Sequence, residues 1–91
     1  MSATAYCEAG ETRSGARARR GFVAADPRLL PIGSRIRILA PKRYAGVYRV
    51  MDVGRGVKGR ELDIFMPSCQ HARTFGRRQV SVRVLKRGAE N

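Results

Sequence analysis

The chain has 91 residues, enough for one domain around one small core, and a chain this short hides only about 60–65% of its unfolded surface, so a long ligand must lie in a surface groove. Nineteen Lys and Arg stand against seven Asp and Glu, a formal net charge of +12, which implies at least weak, non-specific attraction to anionic polymers such as nucleic acid, acidic lipid or an acidic wall polysaccharide. No apolar run approaches the roughly 18–20 residues that cross a bilayer, so no membrane span is expected.

The N-terminal segment Met1-Ser2-Ala3-Thr4-Ala5-Tyr6-Cys7 has neither the basic start nor the apolar stretch of a secretory signal, as a processed mature domain also would not. Residues 2–6 read as a first strand. Residues 8–21, rich in Gly, Ala, Ser and Arg, read as a long, mobile, basic loop. A short apolar strand follows at 22–25. The prolines of Asp26-Pro27-Arg28-Leu29-Leu30-Pro31-Ile32-Gly33 exclude a central strand, and Gly33 suits the turn into the next one.

Ile36 and Ile38 alternate with Arg35 and Arg37, and the same period of two recurs in 46–52, 61–65 and 79–86, as expected of strands with one buried face. Between the last two, Ser68 is a candidate N-cap, Ala72 and Phe75 are three apart, and Gly76 ends a two-turn helix over 68–75. The reading is therefore mainly β: six strands at 2–6, 22–25, 35–39, 46–52, 61–65 and 79–86, one short helix, and a closed or nearly closed small barrel.

Cys7 and Cys69 lie far apart and form no Cys-x-x-Cys motif. As a disulfide they would close a long loop, add roughly 4 kcal/mol by the chain-entropy argument and place the protein in an oxidising compartment. As free thiols they would be two small buried hydrophobes; the disulfide is the preferred reading. One histidine and two distant cysteines make no metal ligand set, so neither a metal nor an organic cofactor is expected. Asp26, Asp52 and Asp63 are the only Asp residues, each beside a turn or a strand boundary. In a chain this basic, acids that interrupt apolar segments are not needed for solubility, which makes them the first candidates for chemistry.

Four blocks then stand in order: Thr4-Ala5-Tyr6; Ala24-Ala25-Asp26-Pro27 with Leu30-Pro31-Ile32-Gly33-Ser34-Arg35; Asp52-Val53-Gly54 with Val57-Lys58-Gly59-Arg60 and Leu62-Asp63-Ile64-Phe65; and Ala72, Phe75-Gly76-Arg77-Arg78 and Val80-Ser81-Val82-Arg83-Val84-Leu85. Together they resemble the three-aspartate (3D) domain, a double-psi β-barrel family related to the catalytic domain of membrane-bound lytic transglycosylase A. Arg55 stands where the family usually has the second glycine of a pair, which puts a bulky cation beside the expected groove.

The resemblance implies a six-stranded double-psi β-barrel with one short helix over residues 1–91, working in the cell envelope, periplasmic or secreted, on peptidoglycan glycan strands; a monomer is expected. It implies lytic transglycosylase-like cleavage of the β-1,4 bond between N-acetylmuramic acid and N-acetylglucosamine, with a non-catalytic glycan-binding module as the alternative. One carboxylic acid suffices if it changes role between the two halves of the reaction, and Asp63 matches the family position that carries it.

On a strand Asp63 faces away from Leu62 and Ile64, so it faces a groove if those two enter the core. Burial there would raise its pKa, while nearby Arg60 and Lys58 would lower it, and the sequence leaves that balance open. Asp52 reads either as a carboxylate accepting backbone N–H bonds from the following loop or as the group that orients Asp63. Asp26 before Pro27 is a turn opener or a groove residue. Thr4 and Tyr6 share one face of the first strand and line the groove or pack in the core. Lys58 meets substrate carboxylate or acetyl groups, or is an exposed loop cation. Glu8 and His71 are lesser candidates, as a base and as a solvated helix side chain.

Overall fold

The computed structural model describes residues 1–54 and 56–89, and Arg55, expected beside the groove, lies outside them. The elements are β1 (Ser2–Tyr6), β2 (Phe22–Ala25), β3 (Arg35–Ala40), a 3-10 turn (Lys42–Tyr44), β4 (Gly46–Asp52), β5 (Glu61–Phe65), α1 (Cys69–Phe75), β6 (Arg78–Gln79) and β7 (Ser81–Lys86). One mixed sheet runs β6-β1-β5-β2-β4-β3-β7. Parallel pairs β1–β5 and β2–β4 flank the antiparallel pair β2–β5.

Seven strands stand among the described residues where six were expected, and the ladder is open where a closed or nearly closed barrel was expected. The reason lies at Val80, inside the single strand expected over 79–86. Val80 is 4% exposed and exchanges both backbone bonds with Met1, each at 2.8 Å, at the end of the β6–β1 pairing. Ser81 then pairs with Ala40 of β3. One residue that turns inward thus carries the chain from one edge of the sheet to the other, leaving β6 on β1 and β7 on β3 with no ladder between those two edges.

The core follows the period-two pattern. Ala3, Val23, Ala25, Ile36, Ile38, Val50, Leu62, Ile64 and Val80 point inward from the strands and their junction, joined by Leu30 and by Phe75 of α1. The helix forms where the caps require it. The Ser68 hydroxyl accepts the His71 N–H at 3.2 Å, and Gly76, at φ 63, turns the chain out of the last turn in a region that a side chain rarely adopts. The 3-10 turn, which has no clear sequence pattern, brings the Tyr44 ring edge-on to Phe75 at 4.8 Å. Cys7 and Cys69 form a disulfide that ties the segment after β1 to the start of α1 across 62 positions.

Candidate functional site

The register assembles the site. Thr4 of β1 is opposite Asp63 of β5, Asp63 is opposite Ala24 of β2, and Ala24 is opposite Asp52 of β4. Residues in register share a face, so the side chains of Thr4, Asp63, Ala24 and Asp52 form one row across four strands. Leu62 and Ile64, buried on either side of Asp63, force its carboxylate to the opposite face, as the alternation requires. Ala24 between the two acids leaves space there. The strand spacing sets Asp63 and Asp52 about 10 Å apart at their Cα atoms.

Each acid in the row has its own support. The Thr4 hydroxyl donates to Asp63 Oδ1 at 3.0 Å. Asp52 Oδ1 accepts the N–H groups of Arg13 at 2.8 Å and Val53 at 2.9 Å, which pins the 8–21 segment and the start of the β4–β5 loop to the same carboxylate. Gly54 lets that loop lie close to the sheet: a Cβ there would meet the Val57 side chain at 2.5 Å and approach Ala24 at 3.9 Å. Segment 8–21, expected as a mobile loop, is folded. Ser14 N–H donates to Met51 at 3.1 Å, Thr12 is buried and bonds Ala16 through both its N–H and its hydroxyl, and Gly15 closes the turn. The signal for this was present in Thr12-Arg13-Ser14-Gly15, two hydroxyls and a glycine at turn spacing.

A cleft of about 300 Å³ lies between this segment and the row, walled by Tyr6, Glu8, Glu11, Thr12 and Asp52 among others. The Tyr6 ring packs edge-on to Phe65 at 5.4 Å, and its hydroxyl is buried without a hydrogen-bond partner among the described residues. Burial, and then the negative charges of Asp52 and Asp63, push the Tyr6 pKa up to about 12.

Asp63 is half-buried, and burial is the main reason that its pKa is raised above the usual carboxylate value. The Thr4 hydrogen bond pulls it down, and Glu8 and Asp52 push it up further. The cations expected to oppose that rise, Arg60 and Lys58, are not among the groups that shift it. Arg60 is exposed on a separate apolar groove of about 960 Å³ with Met1, Leu29 and Val80, and Lys58 is exposed in the loop, its backbone N–H on Glu61 at 3.1 Å.

Asp26 is not brought into this row by any hydrogen bond to Asp63 among the described residues. Its carboxylate, in a residue only 4% exposed, accepts from Arg28 N–H at 3.0 Å, from Arg28 Nε at 3.2 Å and Nη2 at 3.0 Å, and from Gly59 N–H at 2.8 Å. These bonds hold its pKa well below the usual carboxylate range, the Arg28 side chain first among them. Gly59 reaches Asp26 with φ 64, so the β4–β5 loop is clamped to the end of β2. His71 is exposed on α1, in the wall of another pocket with Tyr48 and Phe65.

The 3D domain family model matches residues 21–86. The chain belongs to the 3D domain family. The cell wall-binding protein YocH of Bacillus subtilis is 36% identical over 63 residues, 69% of this chain and 21% of YocH. YabE of the same organism, whose name ties it to cell wall shaping, is 28% identical over 93% of this chain and 22% of its own length. The chain thus spans about a fifth of each of these curated relatives. Among solved structures it shares the fold of the lytic transglycosylase MltA of Escherichia coli, with TM-score 0.69 and 23% identity, over 88% of this chain and 28% of MltA.

Proposed function

We propose that this 3D domain binds peptidoglycan glycan strands over the Thr4–Asp63–Asp52 row and cleaves the β-1,4 bond between N-acetylmuramic acid and N-acetylglucosamine. The carrying observation is Asp63: a half-buried carboxyl, oriented by Thr4 and flanked by other acids, whose pKa is raised toward what a general acid needs. Asp63 gives its proton to the glycosidic oxygen as the bond from C1 breaks. The resulting carboxylate takes the proton of the muramic C6 hydroxyl as that oxygen bonds C1, leaving a 1,6-anhydro end and a reprotonated Asp63. No water is consumed. Asp52 fixes the loop and raises the proton affinity of Asp63, Tyr6 offers a ring face or edge to a pyranose, and Asp26 and Lys58 act at most from the rim, through the β4–β5 loop.

The finer fold reading, a double-psi β-barrel, belongs to this proposal and is supported by the two parallel pairs around β2–β5 and by the likeness to MltA. The names of YocH and YabE support an envelope or extracellular setting, and the disulfide fits an oxidising compartment. The name of YocH also favours a second reading, a module that holds glycan without cutting it. Incubation with purified sacculi separates the two. For the enzyme, Asp63→Asn lowers release of soluble anhydro-muropeptides by about 10²–10⁴-fold while sacculus binding persists. Wild-type binding with no soluble product at any pH selects the binding module.

A further inference from the structure

On β3, Arg35 and Arg37 point outward, alternating with the buried Ile36 and Ile38. The register sets Arg35 opposite Arg49 of β4 and Lys86 of β7, and Arg37 opposite Arg83 of β7. All five are exposed. Like charges directly opposite on a sheet repel and weaken it, and here the arrangement occurs twice, on either side of a register shift between Arg35 and Ile36. Among the described residues the ion pairs are Arg28–Asp26 and Arg77–Glu61, and neither lies on this face to offset it. Arg35, Arg49 and Lys86 also wall a groove of about 940 Å³, completed by Arg19 and Arg20 from the segment before β2, and no acid is among its described walls. A face that only needed to be wet would not require cations stacked against cations.

Guanidinium forks match phosphate oxygens in pairs, and the rungs repeat at about 4.8 Å across strands and about 7 Å along them, a spacing suited to a chain with one phosphate every few bonds. The aromatic wall of the groove, Phe22, is 2% exposed and lies under Arg19, whose guanidinium carbon is 5.3 Å from the ring centroid, so the groove has no platform on which a base could stack. Val47, 46% exposed in the same wall, offers apolar contact to a methylene chain instead.

We propose that the outer face of β4, β3 and β7 binds a base-free phosphodiester polyanion, a polyol phosphate, at a surface distinct from the Asp63 row. The proposal rests on the envelope reading only for where such a polymer is met. The probe is poly(glycerol phosphate), titrated by calorimetry into the full chain over a salt series. Single-stranded DNA with the same number of phosphates and polygalacturonate of the same charge serve as comparisons. Two variants of equal net charge are compared, Arg35→Gln with Arg37→Gln and Arg49→Gln on the face, and Arg17→Gln with Arg43→Gln and Arg73→Gln away from it.

The face variant loses tenfold or more in affinity for poly(glycerol phosphate), and its slope of log K on log salt falls by about 2. Its thermal midpoint is unchanged or higher, because the repulsion has gone, so lost binding cannot be charged to unfolding. The second variant stays within about threefold of wild type. Equal losses in the two variants would show that net charge alone binds the polymer and would overturn the proposal. Tighter binding of DNA than of poly(glycerol phosphate), or equal binding of polygalacturonate, would overturn it as well. Asp63→Asn binds the polymer as wild type does, so failure of glycan cleavage and failure of polymer binding are separate results.

Discussion

Asp63 and Asp26 flank the same few residues of sheet, since Ala24, opposite Asp63 in register, is two residues before Asp26. Their environments are opposite. Asp26 has four N–H donors, three of them from Arg28, and its pKa is driven down. Asp63 has one hydroxyl, partial burial and two neighbouring acids, and its pKa is driven up. In a chain with 19 basic residues the exceptional acid is the one kept away from them. The difference separates a carboxylate that holds two loops in place from a carboxyl whose proton affinity is raised by burial and neighbouring acids.

The largest effect on this contrast is expected from the disulfide. Replacing Cys7 and Cys69 by Ser removes a constraint across 62 positions, which costs about 4 kcal/mol and lowers the thermal midpoint by on the order of 20 °C. Because Cys7 follows Tyr6 directly, amide protection should fall first around residues 4–8, while the clamp from Asp26 to Gly59 keeps its protection until global unfolding. Equal early loss in both regions would show that the two are not independent.

Next come the acids themselves, with opposite signs. Asp26, depressed in the folded state, contributes stability that is present above the usual carboxylate pKa and lost as pH falls through its folded value. Asp26→Asn should therefore lower the thermal midpoint by several degrees at neutral pH, with the gap to wild type narrowing in strong acid. Asp63, raised in the folded state, contributes stability that is present below the usual carboxylate pKa and lost as pH rises through its raised value. Asp63→Asn should match wild type in acid and exceed it at neutral pH, as read by circular dichroism melts over a pH series. A destabilised Asp63→Asn at neutral pH would mean that its carboxylate is satisfied, as that of Asp26 is, and would remove its candidacy as the acid.

Much of this was legible in the sequence because alternation and turn chemistry are local. Ile36 and Ile38 beside arginines, Ser68 and Gly76 around a helix, and Leu62-Asp63-Ile64 each carry their own explanation, and the bounds of the strands at 2–6, 22–25, 46–52 and 61–65 followed. The switch at Val80 was not legible, because the residues around it keep one period and only the three-dimensional position of Met1 and Ala40 tells where the partner changes. The balance at Asp63 was also hidden. Arg60 and Lys58 are near it in sequence, whereas Glu8 and Asp52, which reach it through the fold, are distant. Electrostatics follows contacts in space, so a basic composition can hold an acidic corner that composition does not reveal.

The smallest expected effect lies at Tyr6. Its hydroxyl is buried without a partner beside two acids, and the ring gains its packing from Phe65 whether or not the oxygen is present. An unpaired buried hydroxyl costs stability, so Tyr6→Phe should be neutral or stabilising by about 1 kcal/mol. The phenol near 12 should also disappear from the tyrosine titration followed by ultraviolet absorbance. If the hydroxyl is kept for a sugar, Tyr6→Phe will weaken glycan binding while the fold gains. A fold that instead loses stability would mean that the hydroxyl is bonded within the protein, and the contrast between a satisfied clamp at Asp26 and an unsatisfied corner at Asp63 would then be smaller than the hydrogen bonds imply.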